Sequence, residues 1–456
     1  MSDWTPRLAE ASKPLYIAIA EAIARDIRHG TLSPGDRLPP QRKLAAQLGL
    51  DFTTVSRAYA EAQARGLLES HVGRGTFVAG EPSAHEAPDP ARVGAEDLSM
   101  NMPPEPTDPA LLARMQEGLG YISANLVHLL RYQAPTGGEK DRVAASTWLS
   151  LRGMVPNLER IAVTPGAHAT MTSVLSLLAQ PGDTVLCERI TYPGLRNIAG
   201  RMRIRLHGIE MDRHGILPDA LDAAIRQVRP RALYLNPTLQ NPTTITIPTD
   251  RRLEISEVLN RHGLGLIEDD AYGFIPPRAP APLAILAPDL TWHIGGLAKC
   301  IGAGLRLAFA VAPTSKDAFA LGQALRALAV MPSPLSMALA THWIENGTAD
   351  RIRRFIRAET RARQQIAAEA LEGFRFDAAE NAFNIWLALP KRISRADIVA
   401  RMSGRQIGIV PSDAFTVGGP PNEALRICLG GSATRDALRS DLHFLANTLV
   451  PNTYMG

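Results

Sequence analysis

Short apolar segments separated by longer amphipathic stretches recur throughout the C-terminal two thirds of the chain. Each apolar segment is nearly continuous rather than alternating, which is typical of strands buried on both faces of a parallel sheet. The segments that predict strands are RIAVTPG, DTVLCE, RALYLNP, GLGLIEDD, TWHIGGLAK and LRLAFAV. Helix-length stretches separate them, so the pattern predicts an α/β domain with a mostly parallel sheet.

The N-terminal segment shows helical periodicity instead. Every fourth residue is apolar across the first predicted helix, which ends at Gly30. The apolar stripe consists of Leu15, Ile19, Ile23 and Ile27. One face of this helix is therefore expected to pack on a small core.

Two further short helices are predicted on either side of Gly49. Glycine at that position allows a left-handed turn, Ala45 is small where the helices would cross, and the second helix should begin near Phe52. This is the spacing of a helix-turn-helix, in which the second helix presents its N-terminal end to DNA. The polar residues near that end, able to reach phosphates or base edges, are Thr53, Thr54, Ser56 and Arg57.

A predicted hairpin follows in the run LLESHVGRGTFVAG, as two short strands joined by a glycine turn. Arg74 and Gly75 lie at its tip and suit close approach to a minor groove or a phosphate backbone. From Arg37 to Arg74 the chain has six Lys or Arg and three Asp or Glu residues, a local basic excess. The hairpin is thus expected to act as a wing beside the recognition helix.

Composition divides the chain but adds little about function. Residues 80–98 are rich in Pro, Ala, Gly and acidic residues and predict a linker. The predicted domains are residues 10–79 and 99–456, the latter with a large subdomain at about 145–320 and a small one at about 330–456 that includes segment 99–130. There is no run of eighteen apolar residues and no signal-peptide pattern, so we expect a cytoplasmic protein with no membrane contact. Three widely spaced cysteines predict neither disulfides nor a metal site.

Residues 12 to 79 resemble the winged-helix domain of the GntR regulator family, an α+β fold. The resemblance rests on LSPGDRLPPQRKLAAQLGL, TTVSRAY and GLLES…GRGTFV. It implies contacts with double-stranded DNA by Arg42, Thr53, Thr54, Ser56 and Gly75. The alternative is a three-helix module that contacts protein and has its arginines on a solvated surface.

The large domain carries a lysine in an unusual setting. Lys299 lies in HIGGLAKCIGAGLRLAF, which contains no acidic residue. Either its stem lets the ammonium reach water, or the amine is neutral or covalently occupied. Other candidate groups lie at the ends of predicted strands. The backbone amides of Gly166, Ala167 and His168 predict an anion site, and Tyr192 can stack on a flat ring. The remaining candidates are Asn241, Asp269, Tyr272, Arg306 and Arg426.

In this order the groups resemble the pyridoxal 5'-phosphate enzymes of fold type I, the aspartate aminotransferase fold, over about residues 98 to 450. The resemblance implies that Lys299 forms a Schiff base with the cofactor and that Asp269 keeps the ring nitrogen protonated. It implies that Asn241 and Tyr272 contact the phenolic oxygen and that Tyr192 stacks on the ring. The phosphate would be held by Gly166, Ala167, His168, Arg306 and, from the neighbouring subunit of a homodimer, Tyr132. Arg426 would bind an effector carboxylate.

Two departures from that family pattern concern cofactor retention. Family members usually have hydroxyl side chains where this chain has Ala298 and Gly296. They commonly have glycine where this chain has Thr244. Fewer phosphate hydroxyls predict weaker cofactor retention or a site not tuned for rapid turnover.

A GntR-type domain followed by an aminotransferase-like domain is similar to the MocR regulators. The resemblance implies that an amine or amino-acid effector forms an external aldimine and shifts the binding of a dimer to repeated half-sites in DNA. One alternative is a competent aminotransferase with an accessory DNA-binding domain. Another is a DNA-binding protein whose large domain serves only for dimerisation. The effector and the direction of regulation are not predicted.

Overall fold

The computed structural model describes residues 4–6, 14–33, 35–71, 75–79, 97–391 and 393–450. These residues fall into two units, one before and one after residue 96. None of the described helices is long and apolar enough to cross a membrane.

The first unit contains three helices and a two-stranded antiparallel hairpin. Its elements are α1 (Leu15–Arg28), α2 (Gln41–Leu48), α3 (Phe52–Ala64), β1 (Leu68–His71) and β2 (Gly75–Val78). Hairpin pairing runs from Leu68 opposite Val78 to His71 opposite Gly75. The helix-turn-helix and the wing predicted from the sequence are confirmed.

Local conformation and burial explain this arrangement. Gly49 ends α2 in the left-handed region at φ 65°, as the turn requires. Asp51 caps α3, where its carboxylate accepts a hydrogen bond from the Thr54 amide. The core is made of Ile19, Ile23, Leu44, Val55, Ala58, Tyr59, Leu68 and Val78, among others. The predicted stripe on α1 is wrong at one end: Leu15, the first helical residue, is 46% exposed and lies outside the core.

The second unit is built around a seven-stranded sheet with the strand order β3-β11-β10-β9-β8-β4-β5. Strands β6 and β7 form a separate small hairpin. The strands are β3 (Ile161–Thr164), β4 (Thr184–Glu188), β5 (Arg205–Ile209), β6 (Met211–Asp212), β7 (Gly215–Ile216), β8 (Ala232–Leu235), β9 (Gly265–Asp269), β10 (Thr291–Gly296) and β11 (Ala308–Val311).

Pairing in this sheet is parallel except at β11, which is antiparallel to both neighbours. The continuous apolar runs are explained by burial on both faces, since every residue of β3, β8, β10 and β11 is buried. The predicted mostly parallel sheet is confirmed. Because β11 is reversed, its amino end lies at the same edge as the carboxyl ends of the other strands.

A second sheet forms the core of the C-terminal part, with the order β12-β13-β15-β14. Its strands are β12 (Phe376–Asp377), β13 (Asn384–Ala388), β14 (Ile409–Pro411) and β15 (Ala424–Cys428). One face packs on helices through a cluster that includes Ile385, Leu387, Leu425 and Ile427. The opposite face carries Trp386 and Arg426, which are paired across β13 and β15.

Helices cover both sheets. They are α4 (Pro109–Ala124), α5 (Leu126–Leu129), α6 (Glu139–Ser150), α7 (Ala167–Leu178), α8 (Pro193–Met202), α9 (Pro218–Val228), α10 (Thr249–His262), α11 (Leu283–Leu286), α12 (Ser315–Ala329), α13 (Pro334–Glu345), α14 (Thr348–Ala370), α15 (Arg395–Arg401) and α16 (Arg435–Leu449). Cys187, Cys300 and Cys428 are buried, free thiols.

Candidate cofactor site and nucleic-acid interface

The candidate groups of the large domain converge at one edge of the seven-stranded sheet. Gly166 follows β3, Tyr192 follows β4, Asn241 follows β8, Asp269 ends β9 and Lys299 follows β10. Arg306 precedes β11, whose reversed direction brings it to the same edge. The topology thus brings together residues spread over more than a hundred positions of sequence, where ligand sites of open α/β sheets lie.

Lys299 is partly buried and makes one hydrogen bond, from Nζ to the backbone oxygen of Asn101 at 2.5 Å. Burial lowers the pKa of Lys299 to about 8. The positive charge of Arg426 lowers it further, whereas the carboxylate of Asp269 opposes the shift. Its sequence neighbours Leu297 and Cys300 are fully buried.

Asp269 is buried and only half satisfied. Its Oδ2 accepts a hydrogen bond from the Tyr234 hydroxyl at 2.8 Å, whereas Oδ1 has no partner among the described residues. Burial raises the pKa of Asp269 to about 6. The adjacent Asp270 is committed elsewhere, in a buried ion pair with Arg152 at 2.8 Å. One oxygen of each carboxylate has no hydrogen-bond partner among the described residues, but Asp269, unlike Asp270, forms no ion pair there.

A hydrogen-bond network behind the site fixes Asn241 and Asp269. The Asn236 side chain donates to the backbone oxygen of Asp269 at 2.6 Å and accepts from the Asn241 amide at 2.9 Å. Glu188 in turn accepts from the Asn236 amide at 2.8 Å and from the Thr191 hydroxyl at 3.1 Å. Burial raises the pKa of Glu188 to about 7. Sequence reasoning missed Asn236 and Glu188, although both end apolar strand segments.

The predicted anion site lies where β3 turns into α7. Gly166 precedes the helix at φ 97°, a conformation that disfavours any other residue. A Cβ added there would lie 3.7 Å from Arg306 Nη2, so the glycine backbone is close to this guanidinium. His168 and Arg306 are exposed, and Gly296 lies against Ala167. The helix N-terminus and a cation therefore face the same region, as an anion requires.

Arg426 and Tyr272 are buried beside these groups. Arg426 donates to Asn241 Oδ1 at 3.4 Å and to the backbone oxygen of Ser99, and its Nε has no partner among the described residues. The Tyr272 hydroxyl accepts from Asn101 Nδ2 at 3.0 Å. Burial raises the pKa of Tyr272.

Asn101 and Ser99 were also missed by sequence reasoning. They belong to a segment that precedes the large subdomain in sequence, and only tertiary packing brings this segment to the Lys299 site. Nothing in their local sequence signals this position.

The departures noted in the sequence have structural correlates. Thr244 is buried with φ 63°, in the left-handed region that disfavours a β-branched residue and explains why glycine is common at this position. The predicted phosphate residue Tyr132 is 86% exposed.

The candidate nucleic-acid interface is formed by the exposed N-terminal part of α3 and by Arg42 at the start of α2. Arg42, Thr53 and Arg57 are exposed, and Thr54 and Ser56 are partly exposed. The guanidinium of Arg42 lies 5.8 Å from the Phe52 ring and that of Arg57 lies 4.4 Å from the Tyr16 ring. These contacts orient both arginines without neutralising them.

Two features refine the expectation for the hydroxyls and the wing. Thr53 and Thr54 both donate their hydroxyl protons to Asp51, Thr54 at 2.6 Å. These hydrogen bonds lower the pKa of Asp51 to about 2, the bond from Thr53 most strongly. Gly75 has φ 115° and lies against the Arg37 guanidinium, whereas Arg74 lies outside the described residues.

Two family models match the chain. "Bacterial regulatory proteins, gntR family" matches residues 15–78, and "Aminotransferase class I and II" matches residues 97–440. The chain belongs to the aminotransferase class I and II family and carries a GntR-family helix-turn-helix domain in front of it. This order confirms the predicted resemblance to MocR regulators and the predicted fold classes.

Two regulators align with the chain over nearly their whole length. The chain is 28% identical to the HTH-type transcriptional regulator YdeF of Bacillus subtilis, over 98% of this chain and 96% of the relative. It is 28% identical to the vitamin B6 salvage pathway transcriptional repressor PtsJ of Salmonella typhimurium, over 94% and 98%. The α-aminoadipate aminotransferase LysN of Thermus thermophilus has the same fold, with a TM-score of 0.70 and 24% identity over 77% of this chain and 91% of LysN.

Proposed function

We propose that this protein is a transcriptional regulator in which a pyridoxal phosphate site senses an amine or amino acid and changes the affinity of the winged helix for DNA. One observation carries the proposal. A lysine with a lowered pKa and a buried carboxylate with an unused acceptor share one site, in a chain that also carries an exposed recognition helix. The location that such a role requires is the cytoplasm.

The site residues fit the cofactor. Asp269 Oδ1 is a buried acceptor without a described partner, suited to a protonated ring nitrogen. The start of α7 and Arg306 suit a phosphate, and the half-buried Tyr192 offers an aromatic ring on which a flat ring can stack. When bound, pyridoxal phosphate supplies an aldehyde that reacts with amines and a ring that withdraws electrons.

The chain's own groups then define what is sensed. With a pKa of about 8, about one Lys299 side chain in ten is neutral at pH 7, whereas an ordinary lysine is almost fully charged. Lys299 is therefore available both to carry the cofactor and to yield its place to another amine. Arg426, buried with an unpartnered Nε, is proposed to bind the effector carboxylate.

On the DNA side we propose a homodimer that binds repeated half-sites. Arg42, Thr53, Thr54, Ser56, Arg57, Arg74 and Gly75 are the proposed contact residues, and Tyr132 is proposed to reach the partner subunit's phosphate site. The proposed division is a DNA-binding domain at 10–79, a linker at 80–98 and the sensing domain at 99–456. An effector changes DNA binding only as far as it prefers one state of the dimer.

The test is a DNA-binding titration on an operator selected from random duplexes by repeated rounds of binding. Common amino acids and short amines are added to the cofactor-loaded protein and to Lys299→Ala. We expect at least one of them to change the affinity of the wild-type protein about tenfold and to leave the variant unchanged. An equal change in Lys299→Ala would remove the cofactor from the mechanism.

A second candidate function is amino-group transfer. It is favoured by the same site, because Lys299, Asp269 and Arg426 are all in place. Steady-state transamination with common amino donors separates it from sensing. Sustained turnover would make the protein an aminotransferase with an accessory DNA-binding domain.

A further inference from the structure

A cavity of about 410 Å³ lies outside the proposed cofactor site. On one side it is bounded by the carboxyl ends of β4 and β5, and on the other by the small sheet and the loop that follows β14. None of the proposed cofactor residues lines it. The lining residues are Arg189, Ile190, Glu210, Met211, Leu217, Trp386, Ser412, Thr416, Pro420 and Asn422.

Backbone pairing joins two segments that border this cavity. Ile190 forms an antiparallel bridge with Thr416. The Thr191 amide donates to the Phe415 oxygen at 2.9 Å, and the Val417 amide donates to the Arg189 oxygen at 2.8 Å. These contacts hold the segment that follows β4 against the segment that follows β14.

The cavity contains one unpaired charge of each sign. Glu188 pairs with Ile209 in the parallel register, so Arg189 and Glu210 are the next neighbours along β4 and β5. Among the described residues neither side chain forms an ion pair. Adjacent opposite charges that do not neutralise each other match a ligand whose carboxylate and ammonium are also adjacent.

The rest of the lining combines apolar side chains with the polar residues Ser412, Thr416 and Asn422. The buried Trp386 provides a flat wall, and Ile190, Met211, Leu217 and Pro420 provide aliphatic surface. The volume is in the range of small-molecule sites, which combine apolar walls with a few polar groups. The indole ring of Trp386 and the aliphatic side chains beside it favour a zwitterionic ligand that has an apolar side chain.

We propose that this cavity is a second ligand site, separate from Lys299, which binds an α-amino acid with an apolar side chain. Arg189 binds its carboxylate, Glu210 binds its ammonium group, and Trp386 packs against its side chain. This inference does not rest on the cofactor.

The second site adjoins Arg426 in two ways, since Trp386 is paired with Arg426 across β13 and β15 and both contact Phe415. The Phe415 ring lies edge-on to Trp386 at 5.7 Å between ring centroids, and the Arg426 guanidinium lies 5.4 Å from the same ring. A ligand packed against Trp386 would therefore contact a side chain that packs on Phe415, and Phe415 in turn contacts the proposed effector-binding Arg426. Occupation of the cavity is expected to change effector affinity at Arg426.

The test is isothermal titration of L-leucine into the full-length Lys299→Ala protein, which cannot carry the cofactor covalently. In that background we expect saturable binding that weakens at least about tenfold with Arg189→Gln and with Glu210→Gln. Leucinamide and 4-methylpentanoate, which lack one charge each, should bind about tenfold more weakly than leucine. Arg205→Gln is the matched control, because it removes an exposed arginine from the other end of β5.

Several outcomes would overturn the proposal. One is the absence of saturable leucine binding up to about 10 mM. Another is binding that both Gln variants leave unchanged, which would place leucine elsewhere, for example at Arg426. If Arg205→Gln weakened leucine binding as much as Arg189→Gln does, the loss of affinity would be explained by the change in net charge alone. Because Arg189 and Glu210 are exposed, circular dichroism is expected to show all three variants folded.

Discussion

The two candidate sites of this protein are built in opposite ways. The DNA-binding groups on α3 are exposed side chains on a small, fully apolar core, and their contacts are local, such as that of Arg57 with Tyr16. The groups around Lys299 are mostly buried, hydrogen-bonded across long sequence distances, and shifted in pKa. Substitution on the DNA-binding surface should therefore change binding alone, whereas substitution near Lys299 should change stability and protonation as well.

The largest expected effect sharpens this difference at Asp269. Its pKa is raised from 3.8 to about 6, so ionisation opposes folding: the cost is absent below pH 4 and grows as the pH rises through 6. The gain in free energy of unfolding of the cofactor-free protein on Asp269→Asn should therefore be roughly 2–3 kcal/mol larger above pH 7 than at pH 4. The same change should weaken pyridoxal phosphate binding at least about tenfold.

Urea unfolding at pH 4, 6 and 8 measures the first effect, and equilibrium dialysis of the cofactor measures the second. Asn retains an acceptor for the Tyr234 hydroxyl, so the comparison isolates the charge. Equal pH dependence of the two proteins would show that the buried carboxylate does not cost stability, and unchanged cofactor affinity would remove Asp269 from the binding site.

The contrast also explains how much the sequence predicts. Lys299, Asp269, Asn241 and Tyr192 could be predicted because each follows a recognisable apolar strand, and parallel strands bring their ends to one edge. The helix-turn-helix could be predicted because its core spacing is local. Asn101 could not, since its contact with Lys299 depends on how a distant segment packs.

Charge pairings that depend on tertiary structure also could not be predicted from the sequence. Nothing in the local sequence shows that Asp270 forms an ion pair with Arg152 while the carboxylate of Asp269 interacts with the charge of Lys299. The same holds for Arg189 and Glu210, which become neighbours only when β4 and β5 pair.

On the DNA-binding surface, Arg42→Gln should act on binding alone. Loss of one phosphate contact should weaken DNA affinity by roughly tenfold and reduce the slope of log affinity against log salt by about one. Because Arg42 is exposed, the free energy of unfolding should change by less than about 0.5 kcal/mol. Fluorescence anisotropy at several salt concentrations checks the slope. An unaltered slope would exclude Arg42 from the backbone contacts.

Asp51 gives the first unit a pH dependence of the opposite sign to that of Asp269. Its pKa is lowered from 3.8 to about 2, so its cap stabilises α3 above pH 4, and this stabilisation is lost as the pH falls from 4 through 2. In Asp51→Asn, which can still cap but does not ionise, that loss should disappear. Amide hydrogen exchange of residues 52–64, compared between proteins at equal pH, measures it.

Glu61→Gln is the control for this experiment. It removes an exposed carboxylate of the same helix, paired with Arg65 at 2.7 Å, and should keep the wild-type acid dependence. Acid-induced opening of α3 that is identical in all three proteins would contradict the assignment to Asp51.

The smallest expected effect concerns Thr244. Because its φ of 63° is costly for a β-branched residue, Thr244→Gly should raise the free energy of unfolding by about 0.5–1 kcal/mol. Thr243→Gly is the matched control and should destabilise the protein, since the Thr243 hydroxyl donates to Gln240 at 2.6 Å. Destabilisation by Thr244→Gly would show that packing of the threonine outweighs its backbone strain.

The central claim is that the chain carries pyridoxal phosphate covalently on Lys299. The protein is mixed with the cofactor and reduced with borohydride, and the modified peptide is then identified by mass spectrometry. We predict one phosphopyridoxyl group, on Lys299, and none in Lys299→Ala. A protein that stays unmodified with excess cofactor, or that carries the label on another lysine, would contradict the account.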